Sequence, residues 1–260
     1  LGTILATRDG GKSWRRIRGS ATRVALLGLY SEAARLPLEL FAWASGNEGY
    51  LSCAEVLNRR DVELSVLGDA PAEDASRAAL SAVGGCGTDH AWRFPLRQAG
   101  LTLKSSDVVA VWDRWNDGRA IELLEELAVR RIRQWRPEVV VTEPANREGD
   151  NPVSQIVNQI VLSAVRNAAD GTAYPAHMTV AGLEPWTVKK VFSLVEGDAP
   201  ATVTLTTTQL APRMGCSIAD QALEGYGLLR RRYEPLPLTI GLRLWMDRLP
   251  QSAGRKDIFS

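Results

Sequence analysis

Apolar and polar residues alternate along the chain in blocks that predict strands and helices in turn. Three continuous apolar runs, at residues 24–30, 51–57 and 138–142, have the length and composition of strands buried on both faces. Amphipathic segments with helical spacing separate them and cover residues 32–45, 72–83, 117–135, 152–169 and 217–232. This alternation predicts an α/β fold that is Rossmann-like, with a mainly parallel sheet and helices on both faces.

Weaker patterns predict further strands. Two are short apolar runs of parallel-strand type, and two are segments whose β-branched residues favour partly antiparallel edge strands. They cover residues 91–96, 108–112, 188–193 and 202–208. Two prolines then punctuate the end of the chain, where we expect a tail from about residue 234 whose apolar patch, residues 240–246, packs onto the domain.

The first eighteen residues have a different pattern. Residues 7–14 read Thr-Arg-Asp-Gly-Gly-Lys-Ser-Trp and match the turn pattern Ser/Thr-x-Asp-x-Gly-x-Ser/Thr-Trp at every position. Asp9 can accept N–H groups of the turn, the glycines allow positive φ, and Trp14 can pack over the flanking strands. We therefore predict a hairpin with Asp9 at its tip.

This turn resembles an Asp-box, or BNR, repeat of the kind found in propeller proteins. A lone hairpin is marginal in water, so the resemblance implies that residues 1–20 are the last hairpin of a propeller whose other blades lie upstream. The chain begins with Leu1 rather than Met, which also leads us to expect a piece of a longer protein. Residues 21–260 would then be the α/β domain.

Composition excludes several classes of function. The 31 Lys and Arg residues against 30 Asp and Glu leave a formal charge of +1, so no global field attracts nucleic acid. No apolar run approaches the roughly 18 residues of a membrane helix, and we expect no membrane insertion. The cysteines, at positions 53, 86 and 216, are odd in number and lack C-x-x-C spacing, which excludes a disulfide scaffold.

Polar residues of mixed charge follow the predicted strands. In a doubly wound sheet, ligands bind outside the carboxyl ends of the strands. These loops could therefore line a crevice for a hydroxyl-rich, carbohydrate-like small molecule, although ordinary solvated loops have the same composition. Trp112 ends an apolar run and is expected in the core, whereas Trp115 could stack on a ligand. The candidate ligand-binding residues are Arg59, Asp113, Trp115, Arg147 and Asn151.

Three segments of the second half resemble a known enzyme family. Residues 136–142 read Arg-Pro-Glu-Val-Val-Val-Thr, residues 161–169 read Val-Leu-Ser-Ala-Val-Arg-Asn-Ala-Ala, and residues 182–186 read Gly-Leu-Glu-Pro-Trp. In order and content they resemble the PIG-L/LmbE-like family of zinc-dependent N-acetylglucosaminyl deacetylases. The resemblance covers roughly residues 24–232 and implies that family's Rossmann-like fold and, in its active members, a zinc site at the carboxyl ends of two strands.

The positions that correspond to the family's zinc ligands differ in this chain. The resemblance aligns Tyr30, Ala33 and Asn151 with the three metal-ligand positions and Glu32 with the general-base position. Neutral Tyr, Ala and Asn cannot replace imidazole and carboxylate as ligands of a hydrolytic zinc. The resemblance therefore implies a domain without a zinc cofactor, in which Glu32 is a vestigial general base.

A metal site elsewhere is an alternative. Cys86, Asp89 and His90 are a compact set of potential ligands, but they precede a predicted strand, which would place them at the amino edge of the sheet, opposite the crevice. The chain's other histidine, His177, is expected at the surface or hydrogen-bonded. A weakly bound hard cation would use Glu32, Asp113 and Asp150.

The residues thus favour a catalytically inactive PIG-L/LmbE-like domain that acts as a binding or interaction module in a longer protein. The alternative is an active metal-dependent hydrolase that deacetylates an N-acetylated sugar derivative through unusual ligands. A purely structural spacer is a third interpretation, because a fold does not define a function.

Overall fold

A computed structural model of the chain describes residues 4–6, 15–18, 23–57, 72–91, 94, 104–144, 152–195, 199–230, 235–249 and 257–259. Its strands are β1 (Ile4–Ala6), β2 (Arg15–Arg18), β3 (Leu26–Tyr30), β4 (Ser52–Val56), β5 (Gly87–His90), β6 (Val139–Thr142), β7 (Lys190–Val195), β8 (Val203–Thr206), β9 (Leu210–Ala211), β10 (Cys216–Ser217) and β11 (Thr239–Asp247). Its α-helices are α1 (Leu38–Phe41), α2 (Ala72–Ala82), α3 (Ser105–Asp113), α4 (Ala120–Trp135), α5 (Pro152–Ala169), α6 (Ala176–Thr179) and α7 (Ile218–Leu229).

A seven-stranded sheet forms the centre of the fold. Its strand order is β5-β4-β3-β6-β7-β11-β8. The strands from β5 to β7 run parallel to one another, while β11 is antiparallel to both β7 and β8. The three apolar runs predicted as parallel neighbours are β4, β3 and β6, and this prediction is confirmed.

Helices cover both faces of the sheet, as the α/β prediction requires. On one face, apolar side chains of α3, α4 and α5 pack on Leu27, Leu29 and Val140 of the strands. On the other face, α1, α2 and α7 pack on Leu26 and Val141. Both faces of β3, β4 and β6 are therefore buried, which explains why their sequences are mostly apolar. No helix in the described ranges is long and apolar enough to span a lipid bilayer.

The first predicted helix, residues 32–45, is interrupted. Pro37 has no N–H to donate and its ring clashes with the preceding turn of a continuous helix. A 3-10 turn, Ala33–Arg35, therefore ends before it, and α1 begins after it and continues as a π-helical segment, Ala42–Asn47.

Residues 108–112 lie in α3, so the prediction of a strand there was wrong. Of these residues, Val108 and Trp112 are the buried ones, and their spacing of four positions is helical. The Asp107 carboxylate accepts the N–H of Lys104 at 3.3 Å and stabilises the start of the helix. A short apolar run does not by itself separate a strand from a buried helical segment.

Two other boundaries also differ from the prediction. The strand expected at residues 91–96 is β5, four residues long, which ends at His90; the described residues Ala91 and Phe94 are not in a strand. The apolar patch 240–246 is not a packed tail but the middle of β11, which joins the sheet between β7 and β8.

The predicted N-terminal strands are also present. β1 and β2 pair antiparallel in a two-stranded sheet of their own. The turn with the Asp-box pattern, residues 7–14, lies outside the described residues. Its assignment to a propeller, and the division of the chain at residue 20, stay predictions.

Candidate functional site at the carboxyl edge of the sheet

The candidate site lies where the neighbouring parallel strands β3 and β6 reach their carboxyl ends. In chain order the sheet grows from β3 to β4 and β5 on one side, and then continues with β6 on the other side of β3. Such a switch point opens a crevice outside the strand ends. At its base, the Thr142 hydroxyl donates to the carbonyl oxygen of Leu29 at 2.9 Å and joins the two strands.

Glu143 follows β6 directly, and its carboxyl group is fully buried at this switch point. Oε1 accepts the backbone N–H of Ser31, the residue that follows β3. Oε2 lies 3.6 Å from Nη1 of Arg35, whose side chain is 29% exposed. The ion pair therefore links a buried carboxyl group to the solvent side of the crevice.

Burial is the largest influence on Glu143 and raises the pKa of its carboxyl group. Hydrogen bonds from Ser154 and Ser31 and the charge of Arg35 oppose this rise. Ser154 is the third residue of α5, so the carboxyl group also lies at the N-terminus of that helix. We call Ser31, Arg35, Glu143 and Ser154 the Glu143 cluster.

Tyr30, the last residue of β3, is completely buried beside this cluster. Its Oη has no hydrogen-bond partner among the described residues. Burial and the neighbouring Glu143 both raise the pKa of the phenol. A Cβ on Gly28 would lie 2.5 Å from the Tyr30 ring and 2.9 Å from Phe41, so glycine at position 28 makes room for the ring. Tyr30 is thus a packed core side chain.

Glu32 and Ala33, which the resemblance aligns with the general base and with one metal ligand, lie at the start of the 3-10 turn. Both are less buried than Tyr30, and Ala33 packs partly against the apolar core. Arg59, Arg147 and Asn151, which were predicted to bind a ligand, lie outside the described residues, so their role stays a prediction.

Asp113 and Trp115 do not follow a strand, so the reason for their selection was wrong. Asp113 is the last residue of α3 and Trp115 lies in the turn between α3 and α4; the Asp113 carboxylate accepts the N–H of Ala120 at 2.9 Å. Trp115 is 64% exposed, whereas Trp112 is buried, as predicted. The last residue of α4, Trp135, accepts the N–H of Val24 just before β3. The opposite end of α4, with the turn, therefore points toward the carboxyl edge of the sheet.

The donors that the structure describes at the switch point do not by themselves form the ligand set of a hydrolytic zinc. Within the described ranges, no group of three or more His, Cys, Asp or Glu side chains could hold a metal ion. Tyr30 offers a neutral, buried phenol and Ala33 offers no donor atom, while Glu143 is engaged by Ser31 and Arg35. The loop with Asp150 and Asn151 lies outside the described residues.

Cys86, Asp89 and His90 have separate environments. Asp89 and His90 belong to β5, and His90 ends it, so the predicted position at the amino edge of the sheet was wrong for these two residues. Cys86 directly precedes β5, as predicted. Cys86 is exposed, Asp89 pairs with Arg131, and His90 Nε2 lies 2.7 Å from the Ser76 hydroxyl.

His177 is buried on α6 and hydrogen-bonded, in agreement with one of its two predicted environments. Its Nε2 lies 3.4 Å from Glu126, and its Nδ1 lies 3.4 Å from Nη1 of Arg133. Burial and the charge of Arg133 lower the pKa of the imidazole.

Sequence reasoning missed Glu143, Arg35 and Ser154 as a unit. Glu143 belongs to the polar residues that follow the predicted strand 138–142, but its partner Ser31 is 112 positions away. The sequence does contain one signal, because the runs 24–30 and 138–142 are both predicted as parallel strands. Residues that follow neighbouring parallel strands meet at one edge of the sheet. The ion pair of Arg35 with Glu143 depends on the 3-10 turn. The sequence pattern predicted a regular helix at these residues.

Comparison with known proteins shows the fold. No family model matches the chain, and no curated protein matches its sequence. Among solved structures, the chain is similar to the conserved protein TT1542 from Thermus thermophilus, with a TM-score of 0.55 and 14% identity over 89% of this chain and 99% of that one. It is similar to the N,N'-diacetylchitobiose deacetylase from Pyrococcus horikoshii, with a TM-score of 0.55 and 9% identity over 80% of this chain and 70% of that one.

A third structure, the zinc inhibited form of teicoplanin deacetylase Orf2, has a TM-score of 0.44 and 11% identity over 78% of this chain and 83% of that one. The first two structures show that the chain shares the α/β fold of TT1542 and of the chitobiose deacetylase, which is consistent with the LmbE-like resemblance of the sequence. At these identities the likeness defines the fold, and the chemistry has to be argued from the site.

Proposed function

We propose that this chain is a catalytically inactive domain of deacetylase-like fold that binds a polar, carbohydrate-like small molecule at the carboxyl edge of its sheet. One observation carries the proposal. The described groups at the switch point are the buried phenol of Tyr30 and the buried carboxyl group of Glu143, which already contacts Ser31 and Arg35. Neither of them is a charged group that is open to a metal ion or a substrate.

A deacetylase needs an electrophile at this edge. Hydrolysis of an acetamide requires that its carbonyl oxygen be polarised as negative charge develops. In zinc enzymes the metal supplies this and also activates water. Glu32 remains at the edge as a carboxylate, but a general base alone contributes about 10²–10⁴-fold. Among the described residues at this edge, Glu32 is therefore one part of such a machinery without the electrophile that it would need.

The exposure and position of two side chains favour ligand binding. Trp115 is a large aromatic side chain that is 64% exposed, in a turn directed toward the edge that carries the Glu143 cluster. Arg35 is partly exposed at that edge. An exposed aromatic face and a few polar groups at the same edge of a sheet are features that suit recognition of small polar ligands.

Metal content and activity test the inactive state. We expect purified protein from zinc-supplemented medium to hold far less than one equivalent of zinc, and to release no acetate from N-acetylglucosamine or N,N'-diacetylchitobiose. Hydrolysis that a chelator abolishes, or one equivalent of zinc that is lost in Glu32→Ala but kept in Glu48→Ala, would show an active metal-dependent hydrolase instead. Glu48 is a suitable control because its carboxylate contacts the neighbouring Asn47 amide in a surface loop.

Calorimetric titration with the same two sugars tests binding. The wild-type chain should bind at least one of them, and Trp115→Ala should weaken that binding about tenfold, a typical loss for an aromatic contact. Leu238→Ala, which truncates another strongly exposed side chain, should leave the affinity unchanged. Absence of binding by the wild-type chain would contradict the binding module.

A further inference from the structure

The surroundings of Glu143 consist of groups that suit an anion. The Ser31 backbone N–H donates to Oε1, the Arg35 guanidinium faces Oε2, and the Ser154 hydroxyl hydrogen-bonds to the same carboxyl group. These groups come from three separate segments: the end of β3, the 3-10 turn and the start of α5. A carboxylate is the shared partner that brings them together.

Helix α5 adds to this environment. It has 18 residues and begins at Pro152, two positions before Ser154. The positive end of a helix dipole stabilises a nearby negative charge. In addition, the fully buried Tyr30 leaves its Oη without a hydrogen-bond partner among the described residues, next to the same carboxyl group. The enclosure thus has donor capacity that Glu143 does not use.

The chemistry of Glu143 identifies the occupant that this enclosure fits. Beyond Cβ, a glutamate side chain has the heavy atoms of acetate: one carbon, the carboxyl carbon and two oxygens. We propose that Ser31, Arg35 and Ser154 form a binding site for a small monocarboxylate, and that Glu143 is its built-in occupant, which keeps the site closed in the native chain.

This inference deepens the proposed function. It explains why the edge of a deacetylase-like fold would not accept the acyl group of a ligand, because a carboxyl group of the protein already fills the space. Its test measures the binding of a free carboxylate, not metal content, hydrolysis or sugar binding, so either proposal can fail alone.

Replacement of Glu143 by Ala removes the acetate-shaped group and opens the site. We expect free acetate to bind the E143A variant and to stabilise it. For a dissociation constant of about 10 mM, about 100 mM acetate should raise Tm by about 3–6 °C over the same concentration of chloride. The measurement is thermal unfolding at neutral pH with sodium acetate, sodium formate and sodium chloride at matched ionic strength.

Variants of the surrounding residues identify the site. The wild-type chain and E143Q, in which the space stays filled, should show no acetate-specific rise in Tm. The double variant R35A/E143A should lose most of the effect. The matched control R77A/E143A should keep it, because Arg77 lies on α2, where its partner is Asp74 at the protein surface.

Every outcome bears on the proposal. An acetate-specific rise confined to variants that lack the Glu143 side chain and retain Arg35 supports it, and so does an E143A variant that folds when acetate is added but not in chloride. An E143A variant that folds but is not stabilised by acetate overturns the proposal. An E143A variant that stays unfolded even with acetate also overturns it. An equal rise in the wild-type chain shows that acetate binds elsewhere and also overturns it.

Discussion

Helix α5 has a buried charged side chain at each end, and the two ends differ in how fully that charge is satisfied. At the C-terminal end, the Arg133 guanidinium of α4 donates to the carbonyl oxygens of residues 167, 168, 170 and 173 over 2.7–3.2 Å. At the N-terminal end, Glu143 accepts the Ser31 backbone N–H and hydrogen bonds from the side chains of Ser31 and Ser154. Its Oε2 has no hydrogen-bond partner among the described residues and lies 3.6 Å from Nη1 of Arg35.

Both charges have the sign that the helix dipole favours. The difference lies in the partners. Arg133 is surrounded by oxygens of the backbone, so it locks the end of α5 to the following loop and has a structural role. Glu143 is held by groups that could serve any carboxylate, at an edge where ligands bind in this class of fold. The charge of Arg133, whose hydrogen bonds are made mostly to the backbone, therefore has a structural role. The charge of Glu143, which is less completely hydrogen-bonded, could be replaced by that of a bound carboxylate.

The largest effect is expected at the saturated end. Arg133→Met should lower the free energy of unfolding by about 3–5 kcal/mol, because several buried carbonyl oxygens lose their donor at once. Urea unfolding monitored by circular dichroism measures this loss. Arg77→Ala, at an exposed position, should change it by less than about 0.5 kcal/mol. A loss below about 1 kcal/mol for Arg133→Met would remove the distinction between the two ends.

Glu55 is a third buried acidic or basic side chain, and its contribution to stability depends on pH. Oε2 of Glu55, the residue before the last of β4, lies 3.0 Å from Nε of Arg131, which also pairs with Asp89. Burial raises the pKa of Glu55 to about 7, against the opposing charge of Arg131. Because the folded-state pKa lies above the unfolded value, the stability contributed by Glu55 is fully present at low pH and is lost as the pH rises through 7.

The wild-type chain should therefore lose about 2–3 kcal/mol relative to Glu55→Gln between about pH 5 and about pH 8. Unfolding free energies of both proteins across this range test the sign. In Glu48→Gln, which changes an exposed carboxylate, the difference from wild type should stay nearly constant. A difference that grows in favour of the wild-type chain as pH rises would show that Arg131 dominates over burial.

A smaller effect is expected at the incompletely satisfied end. Glu143→Gln keeps an acceptor for the Ser31 N–H and loses the ion pair with Arg35, which is long and reaches solvent. We expect a loss of about 1 kcal/mol in the unfolding free energy, measured in urea beside Arg133→Met. A loss as large as that of Arg133→Met would mean that Glu143 has a structural role too, and that the two ends of α5 do not differ in this respect.

The smallest effect is expected in the exposed turn. Trp115→Ala should change the unfolding free energy by less than about 0.5 kcal/mol, because most of the indole is already in solvent. Thermal unfolding compares it with Trp112→Ala, which removes a buried ring that packs edge-on against Phe94 at 5.3 Å and should cost about 3–5 kcal/mol. Similar losses in the two variants would show that Trp115 is a core residue rather than a free surface.

The sequence was sufficient for the sheet and insufficient for the site. Continuous apolar strands such as 24–30 could be placed because burial on both faces leaves a local signature. Residues 108–112 have the same signature but are helical, and only tertiary packing decides between the two. Glu143 could not be recognised as part of a cluster, because its burial depends on contacts with residues more than one hundred positions away.

The order of the last strands also constrains how the chain folds. β8 lies at the edge of the sheet and pairs with β11, although β11 comes later in the chain and α7 lies between them. β8 therefore has no place to dock until β11 has paired with β7. The antiparallel end of the sheet should assemble last, by closure of a long loop, which is a slow step in folding. Native-state hydrogen exchange would find its amides among the least protected of the sheet.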